Sequence, residues 1–215
     1  MDLDSGAEGG RERCYIGMRM HFFIVRHAET DWNKEQRLQG QTDIPLNQNG
    51  LMQAAELAKQ MLNTGITHVL TSDLVRAYET GRVVAEHLNL PLICDSRLRE
   101  CHFGSLEGLT RQEIVERYGE AFIASVNCAY DFGSVGGERH DQVLQRTLDA
   151  LSDFYEKHAE AIPLIVSHGR IMRTLFEPQE LNKIPPIGTC IKVEFESRTP
   201  FDLNTHFSDV RVLNG

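Results

Sequence analysis

Residues 21–26 read HFFIVR, with Phe22, Phe23, Ile24 and Val25 in unbroken succession. A strand with one wet face would alternate apolar and polar residues. A short run that is apolar at both parities predicts a strand buried on both faces. Such a strand needs a covering layer on each side of its sheet, and this constrains the fold more than any other segment. Residues 67–71 (THVLT), 90–94 and 162–167 (IPLIVS) read as further strands, with longer stretches of helical period between them. Strands alternating with helices predict an α/β fold: a three-layer α/β/α sandwich around a mainly parallel central sheet.

The helical stretches carry their own boundary signals. Between 47 and 62, Leu51, Ala54, Ala55, Ala58, Met61 and Leu62 recur at helical spacing. Asn47 suits the N-cap and Gly65 the stop. Residues 73–88 read as a second helix, capped by Ser72. Thr110 with Glu113 three residues on has capping-box spacing for a helix over 110–118. Residues 119–137 read as irregular and 138–158 as a long amphipathic helix. Residues 189–195 alternate as a strand with one polar face, and 207–213 add an edge strand. Residues 1–20 are glycine-rich and charged without an apolar stretch, and are expected to form a flexible leader to a single domain over 21–215.

Composition narrows the partners. Lys and Arg total 22 against 31 Asp and Glu, a net charge of −9, which argues against broad binding of nucleic acid or anionic membrane. No stretch of about 18 apolar residues is present. The five cysteines are scattered without a CxxC pair. They read as reduced thiols of a cytoplasmic protein rather than a disulfide framework or a zinc knuckle.

Parallel sheets bind ligands beyond the carboxyl ends of their strands. The first strand ends at Arg26-His27, the second just before Arg76, and the fourth at Ser167-His168-Gly169. Two imidazoles and two guanidinium groups thereby converge on one sheet edge. This set suits phosphoryl transfer. A neutral His27 can attack phosphorus, and Arg26 and Arg76 can grip the non-bridging oxygens with planar, permanently charged forks. His168, expected to be protonated, adds a cationic donor, and Asn33 a neutral one. Gly169 permits close approach of an anion at a helix start. Glu100 can protonate the leaving oxygen and then deprotonate the attacking water.

The same residues, in this order, resemble the histidine phosphatase superfamily, in its phosphoglycerate-mutase-like branch. The resemblance runs through Arg26-His27-Ala28-Glu29-Thr30, Trp32-Asn33, Leu38-Gln39-Gly40, Asp43-Ile44-Pro45-Leu46, Ser72-Asp73-Leu74-Val75-Arg76-Ala77, Leu98-Arg99-Glu100, Phe103-Gly104, Glu107-Gly108, Gly136-Gly137-Glu138 and Val166-Ser167-His168-Gly169. It implies His27 as the phosphorylated histidine and Glu100 as the general acid. It implies a phosphate pocket of Arg26, Asn33, Arg76 and His168, with Gly169 following the second histidine. Ala28 replaces the commoner glycine, and Arg170 stands where a small residue is usual, which suits a substrate with a second anionic group or an outward-pointing cation. The Phe103–Gly108 block and the short span from 109 to 135 favour phosphatase over mutase.

The resulting expectation is a phosphatase acting on a small phosphorylated metabolite through a phosphohistidine, with no cofactor and no metal. Arg26 beside His27 would repel a cation. The alternatives are a cofactor-dependent phosphoglycerate mutase and a noncatalytic phospho-ligand module. Glu107 and Glu138 are less specific, since Glu138 suits a helix start by itself. The sequence leaves the exact phosphoester and the oligomeric state open.

Overall fold

A computed structural model describes residues 19–122, 124, 131–176, 190–196 and 210–212. The elements run β1 (Arg19–Arg26), α1 (Asp31–Lys34), α2 (Gln48–Gln60), β2 (His68–Thr71), α3 (Val75–Leu88), β3 (Leu92–Cys94), α4 (Arg111–Tyr118), α5 (His140–Lys157), β4 (Pro163–Ser167), α6 (Gly169–Leu175), β5 (Cys190–Glu196) and β6 (Val210–Val212). One sheet holds all six strands in the order β3-β2-β4-β1-β5-β6. The first four in that order run parallel, while β5 and β6 pair antiparallel at one side.

The double-sided burial predicted for residues 21–26 follows from this placement. Phe22 and Ile24 enter one core with Leu98, Leu144, Leu148, Leu151 and Ile171. Phe23 and Val25 enter a second core with Leu57, Ala58, Ala77 and Val84. Helices α5 and α6 thus cover one face, and α2 and α3 the other, giving the three expected layers. Among the described residues no helix is long and apolar enough to cross a membrane, and Cys94 and Cys101 are free thiols.

Several boundaries differ from the sequence reading for identifiable reasons. β1 takes in Arg19 and Met20, which the reading gave to the leader; residues 1–18 lie outside the described set. Helix α2 has Asn47 as its cap, accepting from the Gly50 amide at 2.8 Å. Its buried stripe is Ala54, Leu57 and Ala58, continued by Met61, whereas Leu51 and Leu62 are 40% and 49% exposed. Helix α3 starts at Val75 rather than 73. Ser72 does not cap it; the Val75 amide donates instead to Asp43 Oδ1 at 2.8 Å, from a loop 32 residues earlier. The capping box of Thr110 and Glu113 is present. The irregular span 119–137 is described only in part, and ends in a short turn at Gly133–Val135. α5 begins at His140, two residues later than the predicted 138, with Arg139 as its cap, whose amide donates to Gln142 Oε1 at 3.0 Å.

The corrected stripe of α2 has a measurable consequence. Leu57→Ala removes a fully buried side chain and should cost about 2–5 kcal/mol of stability. Leu51→Ala on the exposed side should cost within about 0.5 kcal/mol. Urea denaturation of the two variants checks the assignment; similar losses would refute it.

Candidate active site

The sheet register sets the site. Arg26 lies beside Ser167 in the β1–β4 ladder, and the His27 amide donates to the Ser167 carbonyl at 2.9 Å. The last residues of β1 and β4 therefore leave the sheet together. On the other side of β4, the Ser72 amide donates to Val166 O and the Asp95 amide to Thr71 O. Ser167 Oγ donates to Leu98 O at 2.9 Å, and Arg99 forms a two-pronged pair with Asp73 at 2.7 and 2.6 Å. The segment that carries Glu100 is thus tied to the ends of β2 and β4.

These ties bring all seven predicted site residues together around two adjoining features. A cavity of about 140 Å³ is lined by Arg26, His27, Asn33, Arg76, Glu100 and Gly169, together with Arg37, Arg170 and Arg173. The ring of His168 packs against that of His27, with centroids 5.2 Å apart.

Each side chain is held in a way that bears on its chemistry. His27 Nδ1 lies 2.8 Å from the Ala28 carbonyl, which can only accept. Nδ1 therefore carries the proton, and Nε2 presents a bare lone pair when the ring is neutral. The Ala28 amide donates to Thr80 Oγ1, whose hydroxyl donates to Arg76 O, so β1's exit is fastened to α3. Arg76 is fully buried; it donates through Nη1 to Thr42 O and through Nη2 to Gly40 O, at 2.9 and 2.6 Å. Its Nε and that of Arg26 are buried without a hydrogen-bond partner, as are both ring nitrogens of His168. Asn33 Oδ1 accepts from the amide and hydroxyl of Thr30, and the residue lines the cavity. Glu100 is nearly buried, and its Oε1 accepts from the Cys101 and Arg170 amides at 2.9 and 3.1 Å.

Positive charge dominates the electrostatics. Burial first, then the charges of Arg76 and Arg26, hold His27 well below the usual histidine value. Burial first, then Arg76, His27 and Arg26, do the same to His168. This corrects the expectation of a protonated His168: the protein's own groups keep it neutral, and only an anion seated among them would reverse the balance. Burial lowers Arg76 to about 10, so it remains a cation at neutral pH. Burial pushes the neighbouring Cys101 thiol up to about 12, which makes it inert as a nucleophile.

Some contributors were not legible as functional. Glu107 accepts from the Gln41 and Thr42 amides, the Thr42 hydroxyl and the Phe103 amide. It fixes the loop whose carbonyls hold Arg76. Gly40 within that loop has φ +55°, and a Cβ there would run into the Glu107 carboxylate. Arg170 lies over the Phe132 ring at 5.4 Å and lines the cavity. At Gly169 a Cβ would meet Arg26 at an ordinary 3.6 Å, so the protein itself does not require glycine there. His102 and His140 do not line the cavity. Among the described residues no group of three or more His, Cys, Asp or Glu side chains could hold a metal ion.

Comparison with known proteins gives a family match and similar chains. Residues 22–185 match the histidine phosphatase superfamily, branch 1. "Phosphoglycerate mutase-like protein 4" of Arabidopsis thaliana is 37% identical over 157 residues, covering 72% of this chain and 68% of that protein. Bacillus stearothermophilus YhfR superposes with a TM-score of 0.71 at 31% identity, over 84% of this chain and 93% of that one. A putative α-ribazole-5′-P phosphatase from Escherichia coli K-12 superposes with a TM-score of 0.70 at 25% identity, over 91% and 96% of the two chains.

The depressed histidines set a stability profile. In the unfolded chain both imidazoles bind protons below about pH 6.5, whereas in the folded chain they stay neutral to lower pH. The unfolded state then binds more protons, so this contribution is complete above that range and is lost as pH falls. Each histidine contributes a slope of up to about 1.4 kcal/mol per pH unit. Denaturation at pH 5, 6 and 7 should show His168→Asn with a flatter dependence than the parent chain; parallel curves would contradict the neutral assignment.

Proposed function

The chain belongs to branch 1 of the histidine phosphatase superfamily, and on that premise we propose that it is a metal-independent phosphomonoesterase acting through a phosphohistidine. Its substrate is a small phosphorylated metabolite. One observation carries this reading: the guanidinium Nε atoms of Arg26 and Arg76 and both nitrogens of His168 are buried without acceptors, beside a histidine whose Nε2 is left bare. Buried guanidinium donors without acceptors are costly, and a tetrahedral dianion supplies acceptors for them and for one N–H of His168.

The chemistry follows in two balanced steps. His27 Nε2 forms a bond to phosphorus as the ester P–O bond breaks, and the departing oxygen takes the proton from the Glu100 carboxyl. Water then attacks phosphorus, its proton goes to the Glu100 carboxylate, and the P–N electron pair returns to Nε2. Arg26, Arg76, Asn33 and a His168 protonated by the incoming charge hold the equatorial oxygens throughout. The residues Arg37, Arg170 and Arg173 around the cavity favour an ester that carries further negative charge.

A second reading is transfer of the phosphoryl group back to a bound phosphoglycerate, since several relatives are named phosphoglycerate mutase or mutase-like. The short span between Glu100 and the Gly136-Gly137 block favours water as the acceptor.

His27→Ala should lower hydrolysis of p-nitrophenyl phosphate by at least about 10³-fold with the melting temperature retained. Turnover by the parent chain should survive chelator, and acid-labile, base-stable phosphate should be trapped on His27. Substantial turnover by His27→Ala would sink the phosphohistidine. Rapid phosphoglycerate isomerisation with slow phosphate release would favour the mutase.

A further inference from the structure

Arg146, on α5, lies outside the cavity just described, yet it is bound to the segment that carries Glu100. Its Nη1 donates to Arg97 O at 2.6 Å and to Arg99 O at 2.7 Å. Its Nη2 donates to Glu100 O at 3.1 Å and to Glu138 Oε2 at 3.0 Å, and its Nε donates to Glu138 Oε1 at 2.8 Å. All five N–H groups of the guanidinium are therefore used. Glu138 Oε2 also accepts from the His102 amide at 2.8 Å. Burial pushes the Glu138 carboxyl up, but the bonds from Arg146 and His102 outweigh it, so the group lies below its ordinary value and is a carboxylate at neutral pH. One half-buried ion pair thus grips the chain immediately before Glu100, at Glu100 and two residues after it.

Three backbone carbonyls directed at one guanidinium are more than an ion pair needs. The segment 97–102 has no strand ladder; besides Arg146, Gln41 Nε2 meets Glu100 O at 3.2 Å and Ser167 Oγ meets Leu98 O. We infer that Arg146, held by Glu138, is a positioning residue for Glu100, fixing the backbone from which the carboxyl delivers its proton to the leaving oxygen. The inference rests on the general-acid role proposed for Glu100. It requires that loss of Arg146 impair proton delivery more than oxyanion binding, because Arg146 bonds none of Arg26, His27, Arg76 and His168 and reaches His168 only through its charge, the smallest of the causes that lower that ring.

Leaving-group dependence separates these effects. An aryl ester with a good leaving group, p-nitrophenyl phosphate, departs with little protonation, whereas an alkyl ester such as glycerol 1-phosphate needs the proton. The value of kcat/KM reports the half-reaction in which that bond breaks. Glu100→Gln gives the reference and should lose about 10²–10⁴-fold on the alkyl ester, at least tenfold more than on the aryl one. Arg146→Met should reproduce the bias, with a loss on the order of 10²-fold on the alkyl ester. Arg146→Lys keeps the charge but has only three donors, so it should retain the bias in weaker form. Glu138→Gln, which removes the carboxylate but keeps its shape, should do likewise; these two carry the test should the Met variant not fold. Vanadate affinity should change less than threefold in the Lys and Gln variants. Equal losses on both esters, or none, would overturn the positioning role while leaving Glu100's own bias intact. Absence of bias in Glu100→Gln would instead remove the general-acid reading, and the inference with it.

Discussion

The site is organised around positive charge that the protein buries without pairing Arg76 directly to a carboxylate. Arg76 is fully buried and Arg26 partly so, with two imidazoles beside them and, among the described residues, Glu100 as the one acidic side chain lining the same cavity. A buried guanidinium with no acceptor would be strongly destabilising. The fold supplies neutral acceptors for Arg76, the carbonyls of Gly40 and Thr42, rather than a carboxylate. A carbonyl stabilises the cation but leaves its full charge available to a ligand, whereas a paired carboxylate would cancel it. The histidines meet the same field by staying neutral.

The scaffold that holds this charge in place is built from ties between non-adjacent segments. Glu107 binds the 40–42 loop, that loop holds Arg76, and Arg76 O holds the Thr80 hydroxyl that receives the Ala28 amide. The nucleophile and the buried cation are thereby set by one chain of contacts. Glu100 is held by a second, through Ser167, Arg170 and Arg146. Glu29 contributes to the same frame: its amide donates to Gln53 and its carboxylate accepts from Asn47. Its place beside the nucleophile in sequence therefore reflects support of the turn into α1.

Much of the arrangement was readable because strand parity and strand ends are local properties. The apolar run at Phe22–Val25 forced two covering layers, and the polar residues that follow each strand had to emerge at the same sheet edge. What was not readable depends on partners distant in sequence. Asp43 caps α3 from 32 residues away, so the nearer Ser72 looked like the cap. Leu51 matched the spacing of the α2 stripe, but Leu57 fills the core, because spacing does not fix the angular centre of a stripe. Arg146 reads as one polar residue on a long amphipathic helix, and backbone carbonyls carry no side-chain identity that would reveal it as an anchor. The charge state of His168 was likewise hidden, since burial outweighs the residue's intrinsic basicity.

That charge state bears on how such a site would respond to an anionic ligand. On the proposed mechanism, a dianion entering the cavity favours a proton on the His168 ring, which burial and Arg76 otherwise disfavour, so that binding and protonation are linked. A monoanion supplies less of this field and recovers less of the cost of burying Arg26 and Arg76. On the proposed mechanism the same linkage serves the second step. The phosphoryl group on His27 keeps His168 protonated while Glu100, now a carboxylate, is free to accept a proton from water. Release of inorganic phosphate then lets His168 shed its proton and restores a neutral pair of imidazoles. On that mechanism, the unpartnered donors that look costly in isolation make the resting site respond to the charge of its occupant rather than to its shape alone.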